Sequence, residues 1–112
     1  DCPKSAQPGQ MPRQAVEALA RSFDAWEKDS LAARVEELHA LLHSENARPK
    51  VIFFHCKCGC DRTGMLAAAY SMRYLNASLT SELAENERII ERHMYYHFQV
   101  SAQWYCESLR EQ

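Results

Sequence analysis

The sequence predicts an α/β fold in which helices cover a parallel β-sheet. A short, continuous apolar run at residues 51–54 contains the β-branched and aromatic residues typical of a strand that is buried on both faces of such a sheet. Segments on both sides of this run carry apolar residues at helical spacing. The run leads at once into a polar loop, and a further helix starts directly from that loop.

Two helices are predicted before the strand. Residues 1–12 contain three of the four prolines and no periodic apolar pattern, which predicts a loop. The first helix is predicted over residues 12–28, and its apolar face consists of Val16, Leu19, Ala20, Phe23 and Trp26. Residues 29–30 provide an N-cap for a second helix, which is expected to end near His43.

Three helices are predicted after the strand. One runs from Thr63 to Asn76, and a second follows the capping residues 78–81. The last is indicated near the end of the chain by Val100, Trp104 and Leu109. An aromatic group in that region is expected to pack in the core of the closing helix: Tyr95, Tyr96, Phe98, Trp104 and Tyr105. One strand does not make a sheet. Residues 1–112 are therefore expected to form a single domain that lacks its upstream strands.

Charge and cysteine content limit the classes of function. Thirteen basic and 15 acidic residues give a net charge of -2, which argues against a strongly basic surface that binds nucleic acid. No apolar run approaches the roughly 20 residues of a membrane span. The cysteines number five, and three of them alternate within residues 56–60, so they do not all pair in a structural framework. A reducing, cytoplasmic location is expected.

The loop after the strand carries the chemistry. Residues 55–64 read HCKCGCDRTG, in which five residues separate Cys56 from Arg62. Backbone N–H groups that turn inward in such a loop, with the positive end of the following helix, form a cradle for a phosphate dianion. Gly59 permits the tight backbone, and the planar guanidinium of Arg62 is suited to hold two phosphate oxygens. The same donors would lower the pKa of Cys56 and make it a nucleophile.

This segment resembles the His-Cys-x-x-Gly-x-x-Arg-Ser/Thr signature of the protein tyrosine phosphatase superfamily. The resemblance implies the α/β fold of that superfamily and hydrolysis of phosphomonoesters through a phosphocysteine, on phosphotyrosine or with dual specificity. It assigns Cys56 as the nucleophile, Arg62 as the phosphate clamp and His55 as a residue that orients the loop. Thr63 would donate its hydroxyl to the departing thiolate. Family members also use an upstream aspartate as general acid, and by element order this is Asp1. No metal or other cofactor is implied.

The variable positions of the loop bear on the substrate. Substrate contacts are assigned to Lys57, Cys58, Gly59, Cys60, Asp61 and Arg62. Lys57 and the Asp-Arg-Thr-Gly ending resemble loops of phosphoinositide phosphatases and of bacterial and plant or fungal atypical tyrosine phosphatases. Lys57 could meet a second phosphate, or it could point to solvent or to a neighbouring carboxylate. Asp61 could polarise a group or brace the loop. The expected partner is therefore a phosphorylated protein or a phosphoinositide.

Several alternatives stay open. Cys58 or Cys60 could trap an oxidised Cys56 as a disulfide, or could serve as a small apolar filler. A zinc site that uses these cysteines and His55 is disfavoured, because alternating cysteines do not easily face one tetrahedral ion. The histidine pairs at residues 39 and 43 and at residues 93 and 97 lack a third ligand. A phosphate-binding domain without turnover, a pseudophosphatase, is the alternative from another functional class.

Overall fold

The computed structural model describes Cys2 and residues 10–44 and 51–112. The helices within these residues are α1 (Arg13–Arg21), α2 (Phe23–Trp26), α3 (Leu31–Leu42), α4 (Arg62–Tyr74), α5 (Leu79–Ile90) and α6 (Tyr96–Arg110). Helices are thus confirmed in all five predicted places. The first is divided at Ser22, whose hydroxyl donates to the carbonyls of Ala18 and Leu19 at 3.3 Å each, and it ends at Trp26 rather than near residue 28.

Helix α6 forms the centre of the fold. The seven consecutive residues from Ala102 to Ser108 are buried, so neighbouring elements cover this helix on every side. Helices α1, α2, α4 and α5 all contact it. The largest fully buried side chains of the described residues are those of Tyr105, Phe23, Leu31, Leu79, Val16 and Val35. Burial of these side chains supplies the main driving force for packing the helices together.

A buried carboxylate connects α1 to α6. Glu107 is only 3% exposed, and Arg13 of α1 donates to its Oε2 atom at 2.6 Å. Arg110, one turn further along α6, donates to its Oε1 atom at 3.3 Å. A charge removed from water is tolerated only when it is paired and hydrogen-bonded, as it is here. The hydrogen bond to Glu107 is also the main cause of the raised pKa of Arg13.

Helix α3 packs against α4 through aromatic rings. The ring of His39 stacks on that of Tyr74 with 3.6 Å between centroids, and its Nδ1 atom lies 3.4 Å from the hydroxyl of Tyr70. The Tyr74 hydroxyl donates to Glu36 of α3. His39 therefore packs in a half-buried position between α3 and α4. This packing explains the histidine without any role in metal binding.

The predicted sheet is wrong for the part of the chain that the structure describes, where the secondary structure is entirely helical. Residues 51–54 contain no strand. Val51 is 98% exposed and Phe53 is 83% exposed, so the segment is not buried on both faces. Ile52 and Phe54 are half-buried and line a groove formed by α3 and α4. Continuous hydrophobicity indicated burial on both faces, but a strand exists only where a second strand pairs with its backbone.

The prediction that the aromatic group near the end of the chain packs in the core is only partly correct. Trp104 and Tyr105 are buried as predicted, whereas Tyr95 and Tyr96 are exposed at the start of α6. The last two therefore lie on the surface. Across the described ranges, the helices are too short or too polar to cross a membrane.

Candidate active site

The loop of residues 55–61 joins the extended segment to the first residue of α4. Gly59 has a φ of +73°, in the left-handed region that favours glycine. A Cβ atom built at this position meets nothing within 4 Å, so backbone conformation rather than space requires the glycine. The loop can therefore turn its successive N–H groups toward one point in front of the helix.

Cys56 lies where these donors converge. The hydroxyl of Thr63 donates to its Sγ atom at 3.0 Å. This hydrogen bond is the largest cause of a pKa lowered to about 6; burial opposes it, and backbone N–H groups of Thr63, Gly59 and Cys60 add to it. Cys56 is therefore mostly a thiolate at neutral pH, and thiolate is the nucleophilic form of cysteine.

Arg62 is available to bind an anion. It is the first residue of α4, and its side chain is exposed. Within the described residues, no hydrogen bond or ion pair engages its guanidinium group. Five residues of one loop separate Arg62 from Cys56, and its place in the first turn of α4 adds its charge to the positive end of that helix. This combination suits a tetrahedral oxyanion.

Asp61 is fixed by contacts from a distant part of the chain. It is 8% exposed, and its two oxygens accept hydrogen bonds from Arg92 at 3.2 and 2.9 Å. The backbone N–H of Tyr95 donates to the same carboxylate at 2.8 Å. The hydrogen bond from Arg92 is the main cause of the lowered pKa of Asp61, and the charge of Arg62 contributes. These contacts brace the loop from the connection between α5 and α6, and the predicted contact of Asp61 with substrate stays a prediction.

A second brace holds the carbonyl group of Cys60. The Nδ2 atom of Asn86, on α5, donates to this carbonyl at 3.2 Å. Asn86 can approach because residue 64 is a glycine: a Cβ atom there would lie 2.5 Å from Oδ1 of Asn86. The sequence did not indicate Asn86 and Arg92 as the partners in these braces, since they lie 26 and 31 residues beyond Cys60 and Asp61. The only indication of these braces in the sequence was Asp61, a charged residue inside the loop motif.

Cys58 and Cys60 form a disulfide with each other. A second disulfide joins Cys2 to Cys106, and among the described residues Cys56 is the free cysteine. The two neighbours of the nucleophile are therefore paired together in this structure rather than with Cys56. Their predicted part in trapping an oxidised Cys56 stays a prediction.

The remaining predicted site residues lie around the loop or outside the described part of the chain. Lys57 is exposed at the rim, and no ion pair engages it among the described residues. His55 is exposed, and its ring packs on that of Phe53 with 5.5 Å between centroids. Asp1, the predicted general acid, lies outside the described residues. No cluster of three or more His, Cys, Asp or Glu side chains suited to a metal occurs in the described ranges.

Comparison with known proteins places this loop in context. A family model described as "Tyrosine phosphatase family" matches residues 3–88. The tyrosine-protein phosphatase MSG5 of Saccharomyces cerevisiae is 38% identical to the chain over 45 residues, which is 40% of this chain and 9% of the yeast protein. The chain therefore matches only a small part of that relative. No solved structure matches.

Proposed function

Because this chain belongs to the tyrosine phosphatase family, we propose that it hydrolyses phosphomonoesters through a phosphocysteine formed on Cys56. The observation that carries the proposal is the hydrogen bond that the Thr63 hydroxyl donates to Sγ of Cys56, which favours the thiolate. The hydroxyl of Thr63 and three backbone N–H groups stabilise it, and they hold the pKa of Cys56 at about 6. A stabilised thiolate, with an arginine of the same loop that has no ion pair among the described residues, is the combination needed to attack phosphorus within a bound dianion.

In the first step, Sγ of Cys56 attacks phosphorus and an S–P bond forms as the bond to the ester oxygen breaks. Arg62 and the loop N–H groups hold the other phosphate oxygens, whose charge grows in the transition state. The leaving oxygen takes a proton from a general acid. Asp61 is unsuited to this role because Arg92 and Tyr95 hold it as a carboxylate. Asp1 remains the proposed acid.

In the second step, water attacks the phosphocysteine and gives its proton to the carboxylate that acted as the acid in the first step, and the S–P bond breaks, which releases inorganic phosphate. The electron pair of that bond returns to Sγ of Cys56. Thr63 stabilises the departing thiolate because its hydroxyl donates to Sγ at 3.0 Å. The same hydrogen bond therefore serves both steps, first to keep the nucleophile ionised and then to help it leave.

The proposed substrate is a phosphorylated protein. Phosphotyrosine is the main proposed target, and dual specificity would add phosphoserine and phosphothreonine. The matched yeast relative is named a tyrosine-protein phosphatase, which supports this choice. A phosphoinositide is the second candidate, and it is favoured by the exposed ammonium group of Lys57, for which the described part of the chain provides no ion pair. Comparing phosphotyrosine peptides with soluble inositol phosphates, in the parent and in Lys57→Ala, separates the two. Selective loss of inositol phosphate hydrolysis in the variant would favour the second.

The test of the reaction is hydrolysis of p-nitrophenyl phosphate in the presence of a metal chelator. The parent should turn over, Cys56→Ser should be inactive, and Arg62→Lys should lose about 100-fold or more in kcat/KM because lysine does not replace two parallel hydrogen bonds. Arg88→Lys is the matched control, since Arg88 is paired at the surface with Glu85. Activity that survives in Cys56→Ser would refute the mechanism. A folded but silent parent that binds phosphate would indicate a pseudophosphatase.

A further inference from the structure

We propose that Arg92 is a positioning residue for this reaction: it holds the carboxylate of Asp61 away from Arg62 and so keeps Arg62 free for phosphate. The proposal rests on the proposed function and adds to it a residue outside the signature loop. Arg92 and Tyr95 also lie outside residues 3–88, the part of the chain matched by the family model. The assignment therefore comes from the contacts in this structure.

The geometry of the pair is that of a two-point clamp. Nη1 and Nη2 of Arg92 donate to different oxygens of Asp61, at 3.2 and 2.9 Å. The backbone N–H of Tyr95 adds a third donor at 2.8 Å. A carboxylate held by a planar guanidinium and by a backbone donor has little freedom to turn. Asp61 is also mostly buried, which limits screening by water.

Arg92 is itself held in place. Its Nη1 atom donates to the carbonyl of His93 at 2.8 Å, and its guanidinium lies over the ring of Tyr95, 4.1 Å from the centroid. Glu91, directly before it, ends α5 in the left-handed conformation with a φ of 61°. The connection between α5 and α6 thus presents the guanidinium in one orientation toward the loop.

The position of Asp61 explains why such a clamp matters. Asp61 directly precedes Arg62, and the charge of Arg62 already acts on it. If Arg92 were absent, Arg62 would be free to pair with this carboxylate, because its charge already acts there. An ion pair between the two would compete with the phosphate dianion for the same guanidinium group. Release of Asp61 would also loosen the loop whose N–H groups surround Cys56.

The experiment measures how well inorganic phosphate protects Cys56 from iodoacetamide, with mass spectrometry of the Cys56 peptide as the readout. This does not depend on turnover, so it distinguishes failure of the clamp from failure of the proposed function. The variants are Arg92→Ala, Arg92→Lys, Arg92→Ala with Asp61→Asn, and the control Arg88→Ala. The value of kcat/KM for p-nitrophenyl phosphate is measured in parallel, and thermal unfolding confirms that each variant is folded.

Arg92→Ala should need about tenfold or more phosphate for equal protection, the loss expected when a charged hydrogen-bonding group is removed. Arg92→Lys should lie between Arg92→Ala and the parent, because it keeps the charge without the two-point contact. Adding Asp61→Asn should recover part of the loss by removing the competing carboxylate, and Arg88→Ala should match the parent. If Arg92→Ala does not fold, the comparison of Arg92→Lys with the parent tests the proposal, and Arg92→Lys should then need more phosphate than the parent for equal protection.

Parental protection in Arg92→Ala, or in Arg92→Lys where that variant decides, would overturn the proposal. So would a double variant no better than Arg92→Ala alone, because charge competition predicts recovery whereas a purely structural role does not. If phosphate protects Cys56 in the parent but the parent does not hydrolyse p-nitrophenyl phosphate, the proposed function is refuted. The role of Arg92 is then still tested by comparing phosphate protection in the parent and the variants.

Discussion

The hydroxyl of Thr63 is the largest single influence on the ionisation of Cys56. Thr63→Val keeps the side-chain shape and removes the donor, so the thiolate loses a charged hydrogen bond. We expect the midpoint of the Cys56 alkylation rate against pH to rise by about one to two pH units. Thr80→Val is the control, because Thr80 is exposed on α5. An unchanged midpoint in Thr63→Val would contradict the assigned hydrogen bond.

The lowered pKa of Cys56 also predicts the pH dependence of the proposed hydrolysis. The thiolate persists as the pH falls from 9 and is lost as the pH passes through about 6. Below that value, kcat/KM should fall about tenfold per pH unit, because the nucleophile is protonated. A pH–rate profile of the parent measures this acidic limb. A midpoint near pH 8.5, the ordinary value for a free cysteine, would show that the loop does not stabilise the thiolate.

The sequence predicted the arrangement of the site residues only where these residues lie close together along the chain. Cys56, Gly59, Arg62 and Thr63 come together because they lie in one loop and the first turn of one helix, so the eight residues 56–63 contain their geometry. Asp61 was recognised, but the choice between polarising and bracing depended on a partner 31 residues away. Nothing in the spacing of a helix end indicates which loop it will contact.

At the scale of elements, the contact of α4 with α5 depends on the absence of a side chain at residue 64. Gly64→Ala would place a Cβ atom 2.5 Å from Asn86, which must then move away from the Cys60 carbonyl. We expect Gly64→Ala to lower the free energy of unfolding by about 1–3 kcal/mol, the usual cost of overpacking. Denaturant unfolding measures the loss.

The same substitution in an Asn86→Ala background provides the control. With the crowded amide removed, Gly64→Ala should cost almost nothing, or should stabilise the fold by up to about 1 kcal/mol through the better helix propensity of alanine. Equal costs in the two backgrounds would show that the two residues are not coupled. The cycle therefore isolates the helix contact that supports the loop.

The element that the sequence mispredicted is the one whose structure depends on other elements. Helices close their hydrogen bonds within a segment, and the apolar periodicity of each helix was therefore informative. A strand at residues 51–54 would instead need a second strand to pair with its backbone, and the apolar run alone does not provide one. Its alternating exposure, with Ile52 and Phe54 against α3 and α4 and with Val51 and Phe53 in solvent, follows from which neighbours are present.

At the scale of the whole molecule, the disulfides bear on where the protein works. Disulfides persist in oxidising surroundings and are rare where thiols are kept reduced. The cytoplasmic location inferred from the odd number of cysteines therefore stays a proposal, and it is tied to the oxidation state of four residues: Cys2, Cys58, Cys60 and Cys106. A test on the purified protein can compare the two pairs, because they close loops of very different length.

The Cys2–Cys106 disulfide joins two residues that are 104 positions apart in the sequence and ties Cys2 to the central helix. A crosslink of this span restricts the unfolded chain strongly, so Cys2→Ser with Cys106→Ser should lower the free energy of unfolding by about 2–5 kcal/mol. Cys58→Ser with Cys60→Ser is the control, with a separation of two residues and a much smaller expected loss. Denaturant unfolding without reductant measures both. Equal stability of the parent and the first double variant, with Cys2 open to alkylation in the folded parent, would show that the long crosslink does not form and would favour reducing surroundings.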